Sequence, residues 1–274
     1  MSAMIKYRTL IFMISILSIL IYNCEMIKSP SSNNDDEINN NYPTILYPLT
    51  PEKLQQFQEE FDVLNSNKIC SRLNEYGLTG HDHCFRNNPK IKISDENISL
   101  KYAINTLVKN KKFTNVTDSL SLISYGFTVT YVSDDSTHWG IRFGPQKYQG
   151  IEVLNTNIVV SLFGDGVFNI DGFGHENVYI PSIDKISKNS AKNKVVGKEI
   201  IWYGYGGEPH EFIVSESSVG ETINKVIVPL EMEEVIELRV TWKIPINFGS
   251  FIGWHIYLDT TTGEEITIIQ EFRT

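Results

Sequence analysis

The stretch His138–Gly174 reads HWGIRFGPQKYQGIEVLNTNIVVSLFGDGVFNIDGFG and decides the fold class. Ile141, Phe143, Val153, Ile158, Val160, Leu162, Val167 and Ile170 supply apolar positions in short runs. Gln149-Gly150, Gly164-Asp165-Gly166 and Asp171-Gly172 punctuate them. Runs with a period of two, bounded by Gly, Asn and Asp, predict antiparallel strands joined by hairpins. Asp165-Gly166 is the sharpest turn signal, because a type I′ turn needs positive φ at both central positions. The expectation is a meander of four short strands.

Working outward, 274 residues can bury one large core or two modest ones. A net charge of −9 without any Lys/Arg-rich run argues against nucleic acid, whose phosphates demand clustered cations. On the N-terminal side, Lys6 and Arg8 precede an apolar run, Leu10 to Tyr22, with the form of a secretion signal over residues 1–23. The run ends at Ile21-Tyr22-Asn23-Cys24. This resembles a bacterial lipobox, with Tyr22 and Asn23 where small residues are usual. Lipidation of Cys24, an uncleaved anchor and an ordinary secretory signal remain open, and all place the chain outside the cytoplasm. The lipidated form implies an envelope location with a membrane anchor at Cys24. Residues 24–48 contain SPSSNNDDEINNN, which lacks the apolar content to order itself and reads as a flexible tether.

A helix is expected from Thr50-Pro51, an N-cap followed by proline at the first helical position. Leu54, Phe57, Phe61 and Leu64 fall on one face, and the helix should end near Asn65-Ser66-Asn67. Cys70 and Cys84 follow within residues 49–95. In an exported chain they are most simply a disulfide, although His81 and His83 beside Cys84 admit zinc, and free thiols remain the third state. A second helix is expected near Ser99, with Leu100, Ile104, Leu107 and Val108 on one face and a basic end at Lys109–Lys112 that complements its dipole. Asn97-Ile98-Ser99 and Asn115-Val116-Thr117 match the glycosylation sequon and are read as chance.

After the central stretch, Ser187–Val196 is a short helix candidate capped by Ser187. Strands then resume: EIIWYGY, EFIVSES, KVIVPLE, VIELRVTWKIPIN, and FIGWHIYLDTTTGEEITIIQEF with a hairpin from Asp259 to Gly263. The class is α+β, with N-terminal helices followed by antiparallel sheets.

The residues at this point carry a family resemblance. His138-Trp-Gly-Ile-Arg-Phe143, Gln146, Tyr148, Gly150-Ile151-Glu152-Val153, Asn157-Ile-Val-Val160 and Asp165-Gly166 resemble the propeptide module of thermolysin-type and fungalysin-type metallopeptidases, the FTP domain. The tail resembles the PepSY module, on Trp242, on Gly253-Trp254-His-Ile-Tyr-Leu-Asp259 and on Thr262-Gly263-Glu264. The resemblance implies an FTP-like module at 96–180 and a PepSY-like module at 181–274. It also implies a partner, a zinc metallopeptidase bound and inhibited or chaperoned in trans, with His138, Trp139, Arg142 and Trp254 as candidate contacts. Main-chain pairing of a sheet edge or face in the peptidase cleft would supply affinity. An adhesion or interaction lipoprotein on the same fold is the alternative.

No catalytic site, cofactor or metal is expected. A zinc helix needs His-Glu-x-x-His, but His175-Glu176 is followed by Tyr179 and His210-Glu211 by Val214. Neither a Gly-x-Ser-x-Gly elbow nor a phosphate loop occurs. Gly204-Tyr-Gly-Gly207 reads as a turn. Glu231-Met-Glu-Glu234 reads as a solvated strand end rather than a calcium site, and Asp259 as a hairpin residue rather than a catalytic carboxylate.

Overall fold

The computed structural model describes residues 42–80, 96–116, 124–133, 136–163, 166–203, 207–248 and 252–272. The proposed leader, the lipidation position Cys24, and His81, His83 and Cys84 lie outside these residues. The chain begins with a short strand, β1 (Thr44–Leu46), followed by helix α1 (Pro51–Leu64). Thr50 Oγ1 accepts from the Lys53 N–H at 3.3 Å, the expected cap. Ser66 and Asn67 adopt positive φ and stop the helix where predicted. Phe61 is buried and Leu54 and Phe57 pack beside it, but Leu64 is exposed, so the stripe is one residue shorter than the sequence suggested.

Helices α2 (Glu96–Lys109) and α3 (Lys111–Thr114) follow. Ser99, Ala103 and Leu107 form the buried line of α2, while Val108, expected inside, faces solvent. At the junction of α2 and α3, Asn110 is buried against Asn65 at the end of α1. Each side-chain amide donates to the other's oxygen, at 2.7 and 3.1 Å. Phe113 meets Phe61 edge-on at 5.3 Å and closes the helical layer.

That layer covers a four-stranded antiparallel sheet in the order β2-β3-β6-β7: β2 (Ser124–Ser133), β3 (Ser136–Phe143), β6 (Ile158–Phe163) and β7 (Gly166–Asp171). Trp139, Ile141, Phe143, Val160, Leu162 and Ile170 point into the helical side. The β6–β7 connection corrects the expected turn centre at Asp165-Gly166, because Gly166 is already the first residue of β7 and does not have positive φ. Phe163 pairs with Gly166, leaving two linking residues. Gly172 has φ +90°, and a Cβ there would sit 2.2 Å from Asn157 O, so only glycine fits.

The meander is not continuous. Between β3 and β6 the chain leaves the sheet to make the hairpin β4 (Lys147–Tyr148) and β5 (Ile151–Val153). Gln149 and Gly150, both at positive φ, turn it in the I′ manner. β5 then pairs in parallel with β10 (Asn224–Glu231), Val226 opposite Glu152 and Ile227 opposite Val153. The expected all-antiparallel pattern is corrected by this one parallel joint. The joint buries Val153 fully, in one cluster with Ile227, Leu238 and Val240.

The second sheet has seven strands, running β13-β12-β11-β10-β5-β4 with β1 paired to β11. Its spine is β11 (Ile236–Phe248), flanked by β12 (Ile252–Asp259) and then β13 (Glu265–Phe272). Ile244, Ile246, Trp254, Ile256 and Leu258 pack against helix α4 (Lys188–Val195), through Ala191 and Val195, and against a separate hairpin, β8 (Glu199–Tyr203) with β9 (Pro209–Ile213). Ser187 Oγ caps α4 by accepting from the Ser190 N–H at 3.1 Å. Strands from 96–180 and 181–274 therefore share the seven-stranded sheet and the apolar cluster around Val153 and Ile227, while the cluster beneath the four-stranded sheet draws only on residues before 180 and the cluster beside α4 only on residues after it.

Candidate partner-binding surface

The predicted contact residues divide by strand alternation. On β3, Trp139 lies in the core with Ile141 and Phe143, whereas His138 and Arg142 lie on the opposite face, Arg142 exposed and the His138 ring 5.4 Å from that of Phe168. Trp254 is buried among Trp202, Phe212 and Phe248, its ring 4.9 Å from that of Trp202. Trp139 and Trp254 are thus core anchors and are removed from the contact set; period-two alternation locates the two faces of a strand but does not say which is covered. Cys70 is disulfide-bonded. The described residues hold no trio of His, Cys, Asp or Glu arranged for a metal.

Two buried polar hubs organise the body, and neither was read from the sequence. Asp259 is fully buried at the end of β12. Its Oδ1 accepts from the Thr261 and Thr262 N–H groups at 2.7 and 3.0 Å, closing the expected hairpin. Its Oδ2 accepts from the Tyr42 hydroxyl at 2.8 Å and from Arg239 Nη1 at 3.1 Å. Arg239 also donates through Nε to Glu237 Oε2 at 2.8 Å. Tyr42 serves a second purpose. β12 departs at Asp259 before β1 begins opposite Leu238, and the Tyr42 hydroxyl accepts from the Val240 N–H, at 3.0 Å, in that gap. Burial and the Asp259 carboxylate both drive the Tyr42 hydroxyl far above its ordinary pKa. Burial opposes the Arg239 charge, but its bonds to Glu237 and Asp259 outweigh that and raise its pKa. All these atoms are occupied, so the cluster is a structural clasp.

The second hub is His175. Gln146 Oε1 accepts from its backbone N–H at 2.7 Å, Gln146 Nε2 donates to its carbonyl at 2.8 Å, and the Tyr148 hydroxyl donates to the same carbonyl. Gln146 and Tyr148, two residues that carry the family resemblance, thereby fasten the strand exit to the β4–β5 hairpin. The imidazole is buried edge-on to Phe173, and burial pushes its pKa down to about 4.

Concavity is modest. A cleft of about 360 Å³ lies between Tyr47, Phe57, Tyr76, Leu78, Lys112 and Glu176. Lys112 lies 4.2 Å over the Phe57 ring and pairs with Glu60, so its charge is already engaged. The Glu231–Glu234 stretch is a turn, with the Met232 N–H donating to Val235 O at 2.8 Å.

The sheet edges differ in kind. At β7, the Cys70 N–H donates to Phe168 O at 2.9 Å and Ser71 Oγ accepts from the Ile170 N–H at 2.8 Å, so the preceding segment covers that edge. At the other side, β2 has β3 as its only strand partner among the described residues. Register irregularities fall near both ends of β2, leaving Gly126–Tyr131 as a regular run.

No protein-family model matches the chain, and no curated protein matches it. Among solved structures it is similar to the C-terminal domain of YpeB from Bacillus megaterium, at 14% identity and a TM-score of 0.34, covering 83% of this chain and 100% of that one. Among the described residues no helix is long and apolar enough to cross a membrane.

Proposed function

We propose that this protein is a non-catalytic binding body that engages a thermolysin-like zinc metallopeptidase in trans, held at the cell envelope by a lipidated Cys24 and a tether. The observation that carries the reading is the inequality of the two edges of the four-stranded sheet. One is covered by Cys70 and Ser71, and the other, β2, is ten residues long with an unbulged interior. Long regular edges invite pairing with another chain and are ordinarily blunted. An extended segment lining a peptidase cleft is the kind of partner that adds to such an edge, with backbone bonds supplying affinity. Arg142, exposed on the outer face of β3, stays a candidate contact one strand in from that edge, whereas the His138 ring lies by Phe168 on β7, away from it. The motif residues Gln146, Tyr148, Gly150 and Val153 support the reading indirectly, since they fix the joint between the sheets on which the resemblance rests.

The test is a titration of a thermolysin-like zinc peptidase with the full chain, reading hydrolysis of a peptide substrate. Stoichiometric slowing is expected. A peptidase that is neither bound nor slowed overturns the proposal.

A further inference from the structure

The β8–β9 hairpin has a free face. Ile200, Trp202 and Phe212 turn inward, the aromatic pair packing on Phe248 and Trp254. On the other side, the register sets Glu199 opposite Ile213, Ile201 opposite Glu211 and Tyr203 opposite Pro209. Ile201 is 53% exposed, Ile213 65% and Tyr203 72%, three large apolar side chains on one small ribbon. The two strands form a sheet of their own. From Glu199 to Asn224 the chain carries five glutamates and no lysine or arginine, and the flanking Lys198 and Lys225 pair with Glu265 and Asp184. Among the described residues, neither Glu199 nor Glu211 forms an ion pair, and Glu208 meets only His210, at 3.5 Å.

We propose that this outer face is a second interaction surface, for an extended protein segment that carries lysine or arginine and apolar side chains in turn along one of its faces. Glu199, Ile201 and Tyr203 follow one another along the same face, so a segment whose same-face side chains include both cations and apolar groups is complementary to it. The same carboxylates repel an anionic bilayer, which sets the face apart from a lipid-inserting hairpin. The inference is independent of the β2 reading, because the residues, sheet and partner chemistry all differ.

The experiment uses the full chain and a labelled short peptide in which lysine and valine alternate at every second position with serine between them, followed by fluorescence anisotropy. Controls are the glutamate–valine counterpart and neutral phosphatidylcholine vesicles. Saturable, salt-sensitive binding of the lysine–valine peptide is expected. Glu199→Gln and Glu211→Gln should each weaken it by up to about fivefold, and Ile201→Ser with Ile213→Ser by about tenfold or more. Glu199→Lys with Glu211→Lys should transfer preference to the glutamate–valine peptide. These side chains are exposed, and an unchanged tryptophan emission spectrum and unfolding midpoint confirm that the fold is kept. The proposal is overturned by no binding, by binding that the isoleucine changes leave intact (simple charge attraction), by binding that all variants share, or by vesicle binding in place of peptide binding.

Discussion

Replacing Asp259 with alanine tests whether the buried clasp holds the second sheet together. The carboxylate is fully buried and accepts four hydrogen bonds, from Thr261, Thr262, Tyr42 and Arg239. Its removal leaves two turn N–H groups, a buried hydroxyl and one guanidinium donor without their acceptor. Breaking a buried charged pair costs about 3–5 kcal/mol. Arg239 keeps Glu237, 2.8 Å away, which places the expected loss near the lower end, about 3 kcal/mol. For a body of this size each kcal/mol lowers Tm by about 2–4 °C, so a fall of about 6–12 °C is expected. Urea denaturation followed by tryptophan fluorescence supplies the free energy directly. Tyr42→Phe alone should cost about 1 kcal/mol. In the Asp259→Ala background it should cost measurably less, because the bond it removes is already gone. A loss under about 1 kcal/mol for Asp259→Ala, or full additivity with Tyr42→Phe, would refute the clasp.

Three further outcomes follow from the geometry. His175, with its pKa lowered to about 4 by burial, is neutral in the folded chain where the unfolded chain, near 6.5, already binds a proton. Stability from this group is complete above pH 6.5 and falls as pH drops toward 4, by about 3 kcal/mol in all; His175→Gln should flatten that part of a stability–pH curve, and an unchanged slope would contradict it. Gly172→Ala should cost at least about 2 kcal/mol in thermal unfolding, from positive φ together with a Cβ 2.2 Å from Asn157 O. Asn110→Leu should cost about 1–3 kcal/mol by removing the Asn110 partner of the buried Asn65 amide, which keeps only its bond to Phe61 O, while the double change of Asn65 and Asn110 to Leu should be milder than the sum of the singles, as measured by denaturant midpoints.

Local chemistry was legible and distant pairing was not. The Thr50 and Ser187 caps, the stop at Asn65–Asn67 and the Asp259–Gly263 hairpin depend on bonds within a few residues, which the sequence spells out. The detour of β4 and β5 into a parallel joint depends on Ile227, Leu238 and Val240, far along the chain, and periodicity says only that Val153 is apolar. Tyr42 and Asp259 stand 217 residues apart, and Asn65 and Asn110 45 apart, so no spacing rule could join them. On the candidate surface, alternation placed Trp139 and Arg142 on opposite faces of β3. Which face the helices cover is a tertiary fact, and Trp139 and Trp254 proved to be inside. That β2 has a single strand partner among the described residues was invisible for the same reason: strand order is not written in any one strand.

Amide hydrogen exchange on the full chain, alone and with an inactivated thermolysin-like zinc peptidase, tests the edge-pairing account most directly. New protection at alternate amides of Gly126–Tyr131, with the β7 edge unchanged, is the predicted result. Binding that leaves the β2 amides exchanging at their free rate would contradict it.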